Sequence, residues 1–246
     1  MEIYGITDQG KTRLMNEDHF YHSDKPVGRL PNLAVIADGM GGHSAGEVAS
    51  RMAVEVLVEN CGQSQEEGVD DILRGGVQAA NRQVFRLAKE RGYLFGMGTT
   101  LAACVVTEGN RLYAVNVGDS RIYIYDGTLR QISLDHSLVE EMVQAGEITR
   151  EESLVHPDRN KITRAIGTGA FVLCDLYVQT LAAGSVVLLC TDGLTNMVGD
   201  GRIQEILGNG GSLEQRVRDL LEEALENGGC DNVTIVAMAT SDQEKR

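Results

Sequence analysis

The sequence predicts an α+β fold, with two antiparallel β-sheets packed face to face and helices outside. Three observations carry that expectation. Strand-like segments cluster with other strand-like segments, two helical patterns follow one another directly, and the apolar runs are short enough to be strands covered on both faces. Residues 3–7 and 19–22 read as short strands, and residues 33–37 as a strand buried on both faces, stopped by the Gly-rich segment DGMGGHSAG. Two amphipathic helices follow, the first through Val48, Ala49, Met52, Ala53, Val56 and Leu57, the second through Val69, Leu73, Val77, Ala80, Val84 and Leu87. Residues 99–133 read as an antiparallel meander of four strands with turns at 108–110, Gly118-Asp119 and Asp126-Gly127. A short helix over 137–146 precedes a polar, weakly periodic stretch, 147–169, expected as an exposed excursion. Two strands (173–180 and 185–190), helices near 202–207 and 213–225, and a last strand, 233–239, complete the pattern. No repeat or linker interrupts it, so residues 1–240 are expected to form one domain, with 241–246 a frayed tail.

Composition narrows the function classes. In 246 residues, 22 Lys+Arg stand against 36 Asp+Glu, a formal charge of −14, which leaves little from which to build a nucleic-acid-binding face. Residues 1–10 carry neither a basic start nor an apolar stretch. The longest apolar runs, 33–37 and 186–190, fall far below the roughly 20 residues that span a bilayer, so a soluble protein without a membrane partner is expected. The 5 cysteines are widely spaced and form no C-x-x-C pair, which argues against a disulfide framework or zinc site and for a reducing cytoplasm.

One arrangement recurs four times: an apolar strand meets an Asp beside a small residue, in LAVIADG (Asp38), AVNVGDS (Asp119), VVLLCTDG (Asp192) and NGGCDNVTIV (Asp231). Carboxylates gathered along one rim suit hard divalent ions, which prefer oxygen ligands, and a neighbouring Gly lets a backbone carbonyl approach. Asp-Gly is also a common turn dipeptide, and Asp126-Gly127 and Asp200-Gly201 read only as turns. Two other patterns compete. Residues 5–12, GITDQGKT, match the phosphate-binding G-x-x-x-x-G-K-[ST] loop, but too little chain precedes them, and DKPVGRLP cuts short any helix after Thr12. Residues 42–46, GHSAG, match a nucleophile elbow with Asp135 and His136 downstream, but DGMGG separates strand from helix, and Ser44 with Glu47 reads better as a capping box.

The ordered set GKTRLMNED (10–18), DGMGGH (38–43), GTT (98–100), GDSR (118–121), Asp135-His136, CTDG (190–193) and DNVT (231–234) resembles the metal-dependent protein phosphatase family (type 2C), in its bacterial single-domain form. The resemblance runs from residue 1 to about 240 and implies the four-layer α-β-β-α version of the predicted fold, with residues 147–169 as the flap beside the active site. It implies a serine/threonine phosphoprotein phosphatase working with two, and a possible third, Mn²⁺ or Mg²⁺ ions. Asp38 would bridge the ions with the Gly39 carbonyl beside it, Asp192 and Asp231 would complete one site, and Asp119 would help hold the third ion with Asp192. A water or hydroxide between the ions would attack phosphorus directly. Glu17 and Asp18 would act through coordinated waters, Arg13 would clamp the phosphate with its planar fork, and Asn232 and Thr100 would support the loops. The implied partners are Ser/Thr-phosphorylated proteins and their cognate kinases, met by a monomer. Met40 stands where many eukaryotic relatives carry a proton-donating His, so the general acid is unassigned, with His43 a candidate. Two alternatives stay open: a non-catalytic phosphoprotein-binding module on the same fold, and a serine hydrolase using Ser44.

Overall fold

The computed structural model describes residues 1–42 and 45–240. His43 and Ser44, and the tail 241–246, lie outside the described residues. In chain order the elements are β1 (Glu2–Asp8), β2 (Asp18–Ser23), β3 (Leu33–Met40), α1 (Ala45–Gln63), α2 (Val69–Glu90), β4 (Gly98–Thr99), β5 (Leu101–Thr107), β6 (Arg111–Val117), β7 (Arg121–Tyr125), β8 (Leu129–Gln131), α3 (Leu138–Gln144), α4 (Arg150–Val155), β9 (Asp175–Thr180), β10 (Val186–Cys190), α5 (Asp192–Thr195), α6 (Asp200–Gly208), α7 (Leu213–Glu226) and β11 (Val233–Ala239). The strands form two antiparallel sheets, one ordered β1-β11-β10-β7-β8 and the other β2-β3-β5-β6-β9, with β4 beside β3.

Side-chain parity builds the layers. Successive residues of a strand point to opposite faces. Leu33, Val35 and Ala37 of β3 therefore pack on α1 and α2, while Ala34 and Ile36 face the other sheet. Likewise Val186, Leu188 and Cys190 of β10 meet α5, α6 and α7, and Val187 and Leu189 turn inward. Three apolar layers thus lie between four layers of elements, the sandwich with outer helices that the clustering predicts. Burial on both faces is why these strands read as unbroken apolar runs.

Three sequence expectations need correction. Residues 99–133 are not one meander: β6 belongs to one sheet and β7 to the other, and Gly118, at φ +105°, carries the chain across. A Cβ at Gly118 would lie 2.6 Å from the Thr100 methyl, so this crossing requires glycine. Strands apolar on both faces give no sign of which sheet they join. The stretch 147–169 is exposed over most of its length, as expected, but residues 165–167 are buried. It holds α4, started by a capping box in which the Thr149 hydroxyl accepts from Glu152 N–H at 3.1 Å and the Glu152 carboxylate from Thr149 N–H at 2.7 Å. Its far end is pinned: Lys161 O accepts from Leu138 N–H, Thr163 N–H donates to His136 O, and Ile166 and Thr99 exchange two backbone bonds. Asp200-Gly201, read as a turn, opens α6.

Gly193, in the first turn of α5, lies so close to the β11 approach that a Cβ there would overlap the Asn232 carbonyl oxygen. Gly193→Ala is expected to destabilise the protein by about 2 kcal/mol, the range for forced overpacking against backbone. A urea titration with an unchanged slope and a lower midpoint is the expected record; an unchanged midpoint would contradict it.

Candidate metal centre

Every strand rim singled out in the sequence ends at one place. Asp38 near the end of β3 is the register partner of Asp18 at the start of β2. Asp192 opens α5 directly after β10, Asp231 precedes β11, and Asp119 follows β6 at the crossing. The backbone around Asp38 is locked by Thr100, whose N–H donates to Asp38 O at 2.8 Å and whose hydroxyl accepts from Asp38 N–H at 2.9 Å. Thr100 in turn exchanges a 2.7 Å hydroxyl bond with Ser120, beside Asp119.

The carboxylates are close enough to disturb one another. Burial first, then Asp18, Asp192, Asp119 and Asp231, hold the Asp38 carboxyl well above its ordinary range. Burial, with Asp192 and Asp231, pushes Asp18 up to about 7, and burial, with Asp192 and Asp135, pushes Asp119 up to about 7. Asp192 is raised by burial and then by Asp231. Glu17 is also raised by burial, against the pull of Arg13.

Polar partners hold only part of this set. Asp18 Oδ2 accepts from the Thr191 hydroxyl at 2.9 Å, Asp192 Oδ2 from Asn196 at 2.9 Å, and Asp231 Oδ2 from Arg13 Nη2 at 2.6 Å. Among the described residues, Asp18 Oδ1 and Glu17 Oε1 are buried without a hydrogen-bond partner. Such orphaned acceptors are costly unless a cation or its waters meets them. Among the described residues no three His, Cys, Asp or Glu side chains are arranged as a ready ion cage. An all-oxygen donor set with buried orphan oxygens and mutually raised carboxyls fits a hard divalent cation.

The remaining predicted residues fall around this cluster. Asn232 is a loop clamp: its Oδ1 accepts from Glu17 N–H at 2.8 Å, and its amide donates to Gln9 O and Met15 O, both at 2.9 Å. Gly39 N–H donates to Glu17 O at 3.1 Å, and its missing Cβ lets the Gly46 backbone at the start of α1 lie against it. Met40 lays its methyl against Gly98, so its thioether packs toward β4. Gly5, the first glycine of the phosphate-loop pattern, sits inside β1, and residues 9–17 form no helix, so that pattern is coincidental. On the Asp119 and Asp192 side a cavity of about 520 Å³ opens beside α4, lined by Asn196, Arg121, Arg150 and Arg159 among others.

Comparison with known proteins decides the family. Residues 9–229 match the family model for protein phosphatase 2C. The chain belongs to the protein phosphatase 2C family. The serine/threonine phosphatase Stp of Listeria welshimeri is 38% identical, covering 97% of this chain and 96% of the relative. Among solved structures, the Mycobacterium tuberculosis serine/threonine phosphatase PstP/Ppp superposes with a TM-score of 0.88 at 37% identity, covering 98% of each chain. A PstP catalytic domain in complex with two manganese ions superposes at 0.85 with 36% identity over 98% of each chain. Within this protein phosphatase 2C fold the two sheets and outer helices are those the sequence predicts.

Two supports escaped the sequence. Thr191, one residue before Asp192, both bonds Asp18 and accepts from Thr234 N–H at 3.0 Å, tying β2, β10 and β11 together under the carboxylates. Its signal is a threonine between an apolar strand and Asp-Gly, legible only once Asp18 is known to sit opposite. His136 is the other, and its partner is a backbone N–H that no sequence pattern marks.

Proposed function

We propose that this chain removes phosphate from phosphoserine and phosphothreonine in proteins with the help of divalent ions, and that residues 1–240 act as one catalytic domain. The observation that carries the reading is the buried oxygen cluster, with its orphaned Glu17 and Asp18 acceptors, at the meeting of four strand rims. Asp38 and the Gly39 carbonyl, with Asp192 and Asp231, would hold two ions, and Asp119 with Asp192 a third. Divalent ions bound there supply Lewis acidity and hydroxide at neutral pH. Glu17 and Asp18 orient the waters of the site, and Asn232 fixes the loop that carries Glu17. Arg13, half-exposed and resting on Asp231, is placed to swing onto phosphate oxygens, which its planar fork matches bidentately. Met40 has no proton to give a leaving oxygen. The donor His43 would offer lies outside the described residues.

Oxygen-only donors suit Mn²⁺ and Mg²⁺ alike. All five cysteines are free, which supports a reducing compartment such as the cytoplasm. Among the described residues no helix is long and apolar enough to cross a membrane. We read the protein as a monomer that opposes protein kinases in signalling, and the net charge of −14 disfavours nucleic acid as a partner.

The test is hydrolysis of p-nitrophenyl phosphate and a phosphothreonine peptide with Mn²⁺ or Mg²⁺, with and without chelator. Turnover that a chelator abolishes and fresh ion restores is expected. Turnover indifferent to chelator would overturn the metal reading, and phosphopeptide binding without turnover would favour a binding module.

A further inference from the structure

His136 is buried, 5% exposed, and joins two parts of the molecule that the reaction needs together. On one side it forms a reciprocal pair with Gly118, the residue before Asp119. His136 N–H donates to Gly118 O at 3.0 Å, and Gly118 N–H donates to His136 Nδ1 at 2.9 Å. A backbone N–H can only donate, so Nδ1 is the bare nitrogen and, in the neutral ring, the proton sits on Nε2 facing Asp175; the Arg164 guanidinium, itself only a donor, then bonds Asp175 Oδ1 and not Nε2. On the other side Nε2 lies 3.3 Å from Asp175 Oδ2, and Arg164 Nη1 lies 2.9 Å from both Nε2 and Asp175 Oδ1. Burial holds the imidazole below its usual range, opposed by Asp175 and Asp135 and helped by the Arg164 charge beside Nε2. Arg164 belongs to the returning limb of the flap, which His136 O also grips through Thr163 N–H at 2.8 Å.

We propose that His136 is a positioning residue, a neutral imidazole of fixed tautomer that holds the Asp119 turn in register with the base of the flap. One ring nitrogen sets the turn from which Asp119 projects. The other, through Asp175 and Arg164, sets where the flap limb begins. Movement of the flap base is thereby felt at Asp119. The proposal rests on the reading of Asp119 as a ligand of the third ion.

Two substitutions divide the link. In His136→Asn the side-chain oxygen can take the place of Nδ1 and accept from Gly118, while nothing reaches Asp175. In His136→Gln the amide reaches the Nε2 position and can donate to Asp175, while Gly118 N–H loses its acceptor. Mn²⁺ binding is read from the electron paramagnetic resonance signal of free Mn²⁺, and the flap base from amide hydrogen exchange over residues 161–166, with Asp119→Asn as reference. Asp119→Asn should lose the weakest Mn²⁺ equivalent. His136→Gln should weaken that equivalent about 10-fold or more, as loss of a ligand-orienting partner does, with exchange at 161–166 near wild type. His136→Asn should bind Mn²⁺ within about 3-fold of wild type while 161–166 exchange about 10-fold faster, the complementary half of the same partition. This crossed pattern supports the proposal, because general destabilisation would move both readouts in both variants. Equal effects of the two variants, or wild-type Mn²⁺ binding by His136→Gln beside an impaired Asp119→Asn, would overturn it. Wild-type binding by Asp119→Asn would instead overturn the reading of Asp119 as a ligand, and the proposed coupling to the ion with it.

Discussion

Asp38→Asn is expected to hydrolyse a phosphothreonine peptide about a thousandfold more slowly than wild type in saturating Mn²⁺. Asp38 is the carboxylate that every other member of the cluster faces: Asp18, Asp192, Asp119 and Asp231 all act on it. Groups that merely orient a metal ligand cost about 10–100-fold when removed, so the central ligand should cost more. The amide is nearly isosteric and can still donate toward Asp192, so the variant should fold. The Thr100 bonds that lock residue 38 involve only its backbone and survive the change. Melting with and without ion separates loss of the site from loss of the fold. An ion at 100 times its dissociation constant stabilises by about 2.7 kcal/mol, which raises a melting midpoint by about 5–10 °C in a protein of this size. Wild type should show that rise and Asp38→Asn little or none. Wild-type turnover by the variant, or an undiminished melting rise with Mn²⁺, would remove Asp38 from the centre.

Particular residues show which parts of this arrangement the sequence discloses. Asp38, Asp192 and Asp231 stand out because each ends or precedes an apolar strand beside a glycine or a clamp residue, and strand ends of one sandwich must come out at its rims. The layers are legible for a related reason: residues buried on both faces leave unbroken apolar runs, and helices buried on one face leave period-3.6 patterns. Partnership across the fold is not legible. Asp18 looks like one more acid in an exposed loop, yet the Asp18–Asp38 pairing and the Thr191 hydroxyl bury it. Gly118 looks like a hairpin turn because its φ and the Thr100 side chain against it depend on where β7 goes next. His136 follows an aspartate downstream of the nucleophile-elbow pattern, but its ring faces a backbone N–H, Arg164 and Asp175. Asp135 turns the other way and grips Arg121 at 2.7 Å.

The crowding that makes the centre useful has a thermodynamic signature, seen when Asp18→Asn is compared with wild type in chelator. In the unfolded chain the Asp18 carboxyl titrates near its ordinary 3.8, while in the fold burial and neighbouring aspartates hold its proton up to about 7. Between those limits the unfolded chain binds fewer protons than the folded one, so each rise in pH favours unfolding. Below about 4 both states hold the proton, above about 7 neither does, and the penalty is then full and constant. Asn carries no such penalty, and its oxygen can still accept from Thr191. The variant should therefore match wild type near pH 4, gain on it by up to about 1.4 kcal/mol per pH unit, and hold a constant lead above pH 7. Wild type also contains His19, His22 and His136 with lowered pKa values, which titrate in the opposite sense; all three are common to both proteins and cancel in the difference. Urea midpoints at half-unit pH steps supply the curve. A difference that stays flat from pH 4 to 7 would mean Asp18 is not strained by its surroundings. In Mn²⁺ the order should reverse, because cations near these carboxyls turn their mutual repulsion into attraction for the ion, and wild type has one more carboxylate to offer. Stability lost to the cluster without ions is thus the source of its affinity for them.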